Sequence, residues 1–437
     1  MQAGVEKILD KALKRADDVE IYFEESERTP VRFKTDELYS IDVKHTRGIG
    51  LRVIKDGKIG FSSTSDPSRV EGLIDAAVES ARFGQEAKFQ LPGKSEFPKV
   101  DIYDKKVVDL ATETSVKEGK KLISMIKEKE PEVKVDARIG KAVSRISIIN
   151  SRGLNFSFDK TYFTYFVEGF LLANGSFGWI FEGKSRCSLS METERFAKEI
   201  LWKTSLAKKD IDIPNKAMPV LFMPDALTSL LKAFVLGVNG KNVQKGSSPL
   251  IGRVGEKVLG EEVTMWDDGL LECGIGSSPM DAEGMPSTRT PLIEEGVLKG
   301  YIFDLQTAGL MGLETTGNAA RSYNSMPIPG VSNFCVSPGT SSVEEMIRSI
   351  KEGVVVYDVL GGGQSNLLAG DFSVNVSLGF KIENGEMVGR VKDVMVAGNV
   401  YDVFKRIIDV GKEVEEVWGF CSPAFCFGDM KVASKTK

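Results

Sequence analysis

Apolar residues recur along this chain at two spacings, and the switches between them lay out the elements. Residues 5–16 put Ile8, Leu9, Ala12 and Leu13 on one side of a helix. Residues 19–25 alternate apolar and polar, as a strand with one wet face does, and 31–33 and 38–43 continue the alternation. Strands over 48–54 and 58–64 flank Asp56-Gly57, a two-residue turn whose central positions both favour positive φ. Residues 67–83 return to helical spacing through Leu73, Ile74, Ala77 and Ala81. The first unit therefore reads helix, antiparallel meander, helix.

Residues 88–100 contain Pro92, Gly93 and Pro98 and no periodic pattern, so they form a linker. The same order then returns. A helix over 115–129 precedes strands over 133–137, 142–150, 155–159 and 162–172, an Asn174-Gly175 hairpin turn and a helix over 192–207. Two units of one order suggest an internal duplication. A charged linker over 208–216, bounded by Pro214, leads to a glycine-rich region of short strands. Strands are expected over 263–266, 292–298, 301–304, 334–336, 354–360, 372–383 and 387–396. Helices are expected over 343–352 and 400–410, and hairpin turns at Glu295-Gly296 and Asn384-Gly385. The pattern predicts an α+β fold: N-terminal helix–antiparallel meander–helix units, with duplication suggested, followed by a β-rich, mainly antiparallel C-terminal domain. The expected domains are 1–96, 97–214 and 215–437.

One stretch carries both order and a functional question. Residues 220–223 suit a buried strand, Pro224 stops it, and Asp225 can cap the helix after it. Leu227, Leu230, Leu231, Phe234, Val235 and Val238 make its apolar face. A helix entering a core after a strand is where zinc peptidases place paired histidines. This one contains no histidine, glutamate or cysteine, and reads first as a packing helix.

Composition narrows the chemistry. The chain has 437 residues, 42% hydrophobic and 27% charged, which suits a globular protein of two or three domains. A net charge of -5 gives no electrostatic reason for a nucleic-acid partner. No N-terminal apolar run has signal-peptide length, and residues 162–181 hold Glu168 and Asn174, so no membrane span is expected and the cytoplasm is the expected compartment. Five scattered cysteines with no CxxC pair read as reduced thiols, with Cys421 and Cys426 packed in an apolar segment. The single histidine, His45, reads as a partly buried strand side chain. Ser205-Leu206-Ala207-Lys208 matches SxxK and Ser322-Tyr323-Asn324 a second acyl-transferase motif, but no Lys-Thr-Gly follows at a usable place. Gly361-Gly362-Gly363 could cradle a phosphate or let a peptide backbone approach, or simply form a tight turn.

Several stretches together resemble one family. They are Thr290-Pro291-Leu292-Ile293-Glu294-Glu295-Gly296, Thr316-Gly317-Asn318-Ala319-Ala320-Arg321, Ser332-Asn333-Phe334, Ser337-Pro338-Gly339, Gly370-Asp371-Phe372-Ser373 and Ala397-Gly398-Asn399. With Gly48-Ile49-Gly50 and Gly60-Phe61-Ser62 in the N-terminal part, they resemble the TldD/PmbA family over nearly the whole chain. The resemblance implies a peptidase system of two related subunits acting on unfolded peptides. The TldD branch carries a His-Glu-x-x-x-His helix and a later cysteine that hold zinc. The corresponding helix here departs from that pattern, and Cys421, directly before Ser422-Pro423, is out of place for the zinc cysteine. The chain is therefore similar to the PmbA (TldE) branch. That likeness implies a non-catalytic subunit with no cofactor of its own and zinc in a TldD-like partner, paired as a heterodimer or homodimer around a peptide substrate. Arg321, Gly362 and Asp371 are the expected groove residues, because charge and bare backbone suit peptide binding; a surface ion pair for Arg321 and a turn hydrogen bond for Asp371 are the plainer readings. A self-sufficient hydrolase using Ser205 and Lys208, or a peptide-binding assembly protein without catalysis, are the alternatives.

Overall fold

A computed structural model describes residues 2–173, 176–361 and 365–434. In the N-terminal half, α1 (Gln2–Leu13), β1 (Asp18–Lys34), β2 (Glu37–Ile41), β3 (Lys44–Lys55), β4 (Lys58–Thr64) and α2 (Val70–Ala81) are followed by α3 (Lys105–Val108), α4 (Thr112–Lys129), β5 (Lys134–Asn150), β6 (Asn155–Ala173), β7 (Ser176–Arg186) and α5 (Thr193–Ala207). The seven strands form one sheet of order β4-β3-β1-β5-β6-β7, with β2 on the edge of β1. Each meander runs outward from the central antiparallel β1–β5 pair, β1-β3-β4 on one side and β5-β6-β7 on the other, while β2 and α3 have no counterpart in the other unit. Odd positions of β1 and β5 face the helices. Val19, Ile21 and Phe23 pack with α1 and α2, and Val31, Phe33, Val135 and Ile139 with α4 and α5.

Several strands run longer than the hydrophobic pattern indicates. The expected pairs over 133–137 and 142–150, and over 155–159 and 162–172, are single strands β5 and β6. Alternation continues through polar residues such as Ser144, Thr164 and Glu168 on the face turned away from the helices, while Lys141 and Thr161 on the other face are tied to the Val108 and Ile102 carbonyls. Pro30 sits inside β1, where a missing amide would ordinarily break a ladder. Its carbonyl points to Asp42, at the gap where β2 gives way to β3, so its missing N–H faces that gap and the β5 side of the ladder stays intact.

The chain then passes through β8 (Asp210–Ile211), β9 (Lys216–Phe222) and α6 (Pro224–Gly237) into the C-terminal region. Its main sheet of eight strands is mostly antiparallel, and a six-stranded sheet lies beside it. Asp56-Gly57, Glu295-Gly296 and Asn384-Gly385 all have positive φ at both positions, as hairpin turns require. Asn174-Gly175 lies outside the described residues. Three expectations fail here, the first over 387–396, which is two strands, Glu386–Val391 and Val394–Asn399, parted at Lys392-Asp393. Residues 400–410 are not one helix: a single turn, Val400–Val403, gives way to the strand Ile407–Val410, which pairs with Phe425–Ser434. Residues 301–304 form no strand; Ile302 makes one isolated bridge to Asn239. No helix among the described residues is long and apolar enough to cross a membrane.

Candidate functional site

The sheet face turned away from the helices meets the C-terminal region across a cleft of about 1130 Å³. Its floor is the even-numbered face of β1 and β5 with the matching residues of β6 and β7. Its opposite wall is α6 with Ile275, Asp358 and Trp418.

The local sequence fixes α6 firmly. Pro224 is its first residue, where a missing N–H costs nothing, so Asp225 lies within the first turn and does not cap the helix. Leu227, Leu230, Leu231 and Phe234 are fully buried, with Phe234 edge-on to Tyr401 and Phe404 at centroid distances of 5.4 and 4.9 Å. Losing one such side chain to alanine costs about 2–5 kcal/mol, so the helix is held in place by its core face. The other face, Asp225, Thr228, Ser229 and Lys232, lines the cleft. These positions repeat at helical spacing, a polar stripe that a reading centred on the apolar face passes over.

Around Asp225 the field is acidic. Burial pushes its carboxyl up to about 7; Lys203 opposes the shift, and Glu182, Glu415 and Asp358 add to it. Lys203 makes a close ion pair with Glu182 and lies 4.7 Å from the centre of the Tyr357 ring. The buried amine of Lys160, its pKa lowered to about 7 by burial, donates to the carbonyls of Ile275 and Ser277, both at 2.7 Å, which fixes the loop that carries Ile275 into the cleft.

A zinc ion needs three or four converging histidine, cysteine or carboxylate donors. Among the described residues no three such groups come together as a ligand set. Asp225 is the sole such donor on the cleft face of α6. Cys421 is buried beside Cys335 in neighbouring parallel strands. His45 lies 3.5 Å from Glu27 on the exposed end of β3, its side chain 71% accessible, so it is not the partly buried strand residue expected. The residues present do not fit the ion.

The groove candidates named from sequence do not meet here. Arg321 is buried outside the cleft, stacked 4.4 Å over the Tyr22 ring and paired with Glu20. Asp371 is exposed and accepts from the Asn399 side-chain amide at 2.9 Å. Gly362 lies outside the described residues. Ser205 donates to the Trp202 carbonyl and Lys208 to Glu130, each at 2.7 Å, and neither lines the cleft. Ser322 donates to Asn324 in an exposed turn.

What sequence reasoning missed is the floor. Arg32 on β1, Arg138 on β5 and Phe166 on β6 stand in one row across the sheet, with Gly183 of β7 next in register. Phe166 stacks on Trp418, which reaches in from the C-terminal region, at 4.8 Å and 26°, and on Phe181 at 5.6 Å and 29°. Trp418 is left-handed and directly precedes Gly419, a tight turn that throws its ring into the cleft, where 59% of it is exposed. An exposed tryptophan beside a glycine is the one local signal that could have pointed here.

Known proteins bear on this geometry. Residues 215–434 match the family model described as PmbA/TldA metallopeptidase C-terminal domain, and residues 19–81 match PmbA/TldA metallopeptidase domain 1. An uncharacterized protein of Methanocaldococcus jannaschii is 30% identical over 430 residues, 97% of this chain and 98% of that protein. Metalloprotease PmbA of Escherichia coli O157:H7 is 22% identical over 461 residues, covering 100% of this chain and 96% of that one. Among solved structures, TldE from Thermococcus kodakarensis is 25% identical and superposes with a TM-score of 0.93, covering 99% of this chain and all of that one.

Proposed function

Because the chain belongs to the PmbA/TldD metallopeptidase family, on its PmbA/TldE branch, we propose that it is the non-catalytic subunit of a cytoplasmic peptidase pair. It joins a zinc-bearing TldD-like relative, and its cleft holds unfolded peptide against that relative's metal. A homodimer is the form the chain takes when that relative is lacking. The observation that carries this reading is the cleft face of α6. The helix that closes the cleft presents Asp225, Thr228, Ser229 and Lys232 where a zinc peptidase would present histidines. A helix held by a deep apolar face, lining a large cleft with no ligand set among the described residues, suits a wall better than a catalyst.

The test is to purify the chain alone and together with a zinc-bearing relative, then measure bound zinc and cleavage of an unstructured peptide in each. The pair should cleave and a chelator should stop it, while the lone chain should neither hold stoichiometric zinc nor cleave. Tightly held zinc in the lone chain, or chelator-sensitive cleavage by it, would overturn the reading. The rival hydrolase reading requires Ser205→Ala or Lys208→Ala to abolish an activity of the lone chain.

A further inference from the structure

Arg32 and Arg138 are direct cross-strand partners on the floor of the cleft. Two like charges in that relation repel, and a sheet ordinarily relieves them with a carboxylate on the same face. Here that relief is only partial: Arg138 feels the charge of Glu168, but no carboxylate of the described residues bonds to either guanidinium. Among the described residues neither guanidinium makes a hydrogen bond or ion pair, and the Arg32 Nε is buried without an acceptor. The nearest acids on the floor, Asp136 and Glu168, face each other one pair along the same strands. Asp136 is engaged by the Thr35 amide at 2.7 Å. Glu168 is pushed up by burial and by Asp136, while a hydrogen bond from Trp179 and the charge of Arg138 oppose the shift; it makes no hydrogen bond or ion pair with either guanidinium.

The ground next to the pair is flat. Pro30 and Gly140 are register partners two residues from Arg32 and Arg138, and they leave a low floor between the strands. On the far side of Arg138 the Phe166 ring begins the stack with Phe181 and Trp418. A guanidinium fork beside bare backbone and next to an aromatic shelf matches a carboxylate joined to a large apolar side chain.

We propose that this cleft selects peptides that present a carboxylate beside an aromatic or large apolar side chain, with Arg32 and Arg138 taking the carboxylate and the Phe166–Trp418 stack taking the side chain. The proposal rests on the peptide-holding role of the cleft and adds its specificity. The carboxylate is either the peptide's own C-terminus or a glutamate or aspartate side chain; both offer the same planar pair of acceptors to a guanidinium.

The experiment is fluorescence anisotropy on the full chain with labelled, unstructured peptides of one length. One ends in phenylalanine with a free carboxylate. Its amidated twin is neutral there. A third is amidated with Glu-Phe inside, and a fourth replaces that Glu by Gln. A fifth keeps the free carboxylate and replaces phenylalanine by alanine. Acidic arms should bind about 10- to 100-fold tighter than neutral ones, the size of one charged hydrogen-bonded contact. The free-acid and Glu-Phe arms show which source the site takes, and alanine for phenylalanine should cost about tenfold. Arg32→Gln and Arg138→Gln should each erase the acid preference and leave neutral peptides unchanged. Both variants relieve a repulsion, so they should fold. Equal binding of acidic and neutral peptides by the unaltered chain would overturn the selectivity and leave the peptide-holding role standing. Binding of no peptide at all, alone or in the pair, would sink both.

Discussion

The Arg321 guanidinium lies 2.7 Å from the Glu20 carboxylate, with side-chain exposures of 1% and 0%. Glu20 also accepts from Arg52 at 2.7 Å, and Arg52 in turn reaches Glu283 at 2.5 Å. Two cations and two anions thus tie the N-terminal sheet to the C-terminal region outside the cleft. Burial pushes Glu20 up, but Arg321 and Arg52 outweigh it and hold the carboxyl below its ordinary range. Removing one member leaves an uncompensated buried charge, so Glu20→Gln or Arg321→Met alone should cost about 3–5 kcal/mol. The double variant leaves Arg52 and Glu283 balanced and should recover part of that loss. Urea unfolding of the three variants reads the coupling; strictly additive losses would show that these charges do not act together.

Asp225 gives a pH-dependent prediction. Its carboxyl is raised from 3.8 to about 7, first by burial. The folded chain therefore keeps this proton where the unfolded chain has released it. The stability this lends is fully present below about pH 4 and is lost as pH rises through about 7. Asp225→Asn removes the charge that must be carried at higher pH. It should stabilise the chain by about 2–4 kcal/mol near pH 8 and by nothing near pH 4. Denaturant midpoints at the two pH values check it, and a gain independent of pH would point to packing in place of ionisation.

Sequence legibility divides along locality. Asp56-Gly57, Glu295-Gly296 and Asn384-Gly385 could be read because a two-residue turn is set by its own φ preferences. The apolar face of α6 could be read because its period is written in consecutive residues. The segment 400–410 misled because apolar residues at helical spacing there also suit a strand, and pairing of Ile407 with Phe427 decides the outcome. Arg321 looked like a groove residue because charge says nothing about depth; its burial depends on Glu20, far away in sequence. The cleft was invisible for the same reason. Arg32, Arg138, Phe166 and Trp418 are brought together by strand register and one turn, and no short motif connects them.

Gly183 tests whether the aromatic shelf is built as described. A Cβ at this position would stand 1.9 Å from Cδ1 of Phe166, so the ring lies across β7 only because the glycine leaves room. Gly183→Ala must push the ring off the strand. Phe181 and Trp418 both pack against the ring and against each other, so any shift disturbs the three-ring cluster. Overpacking of this kind costs about 1–3 kcal/mol. The exposed ring of Trp418 should lose the nearer of its two stacking partners, Phe166, while Phe181 remains, and tryptophan fluorescence reports the change; a parallel pair carrying Trp418→Phe isolates that signal from the other tryptophans. The substitution leaves Arg32 and Arg138 untouched, so it should weaken binding of phenylalanine-containing peptides and spare the preference for a carboxylate. Unchanged Trp418 emission with intact binding would mean that the shelf does not depend on Gly183.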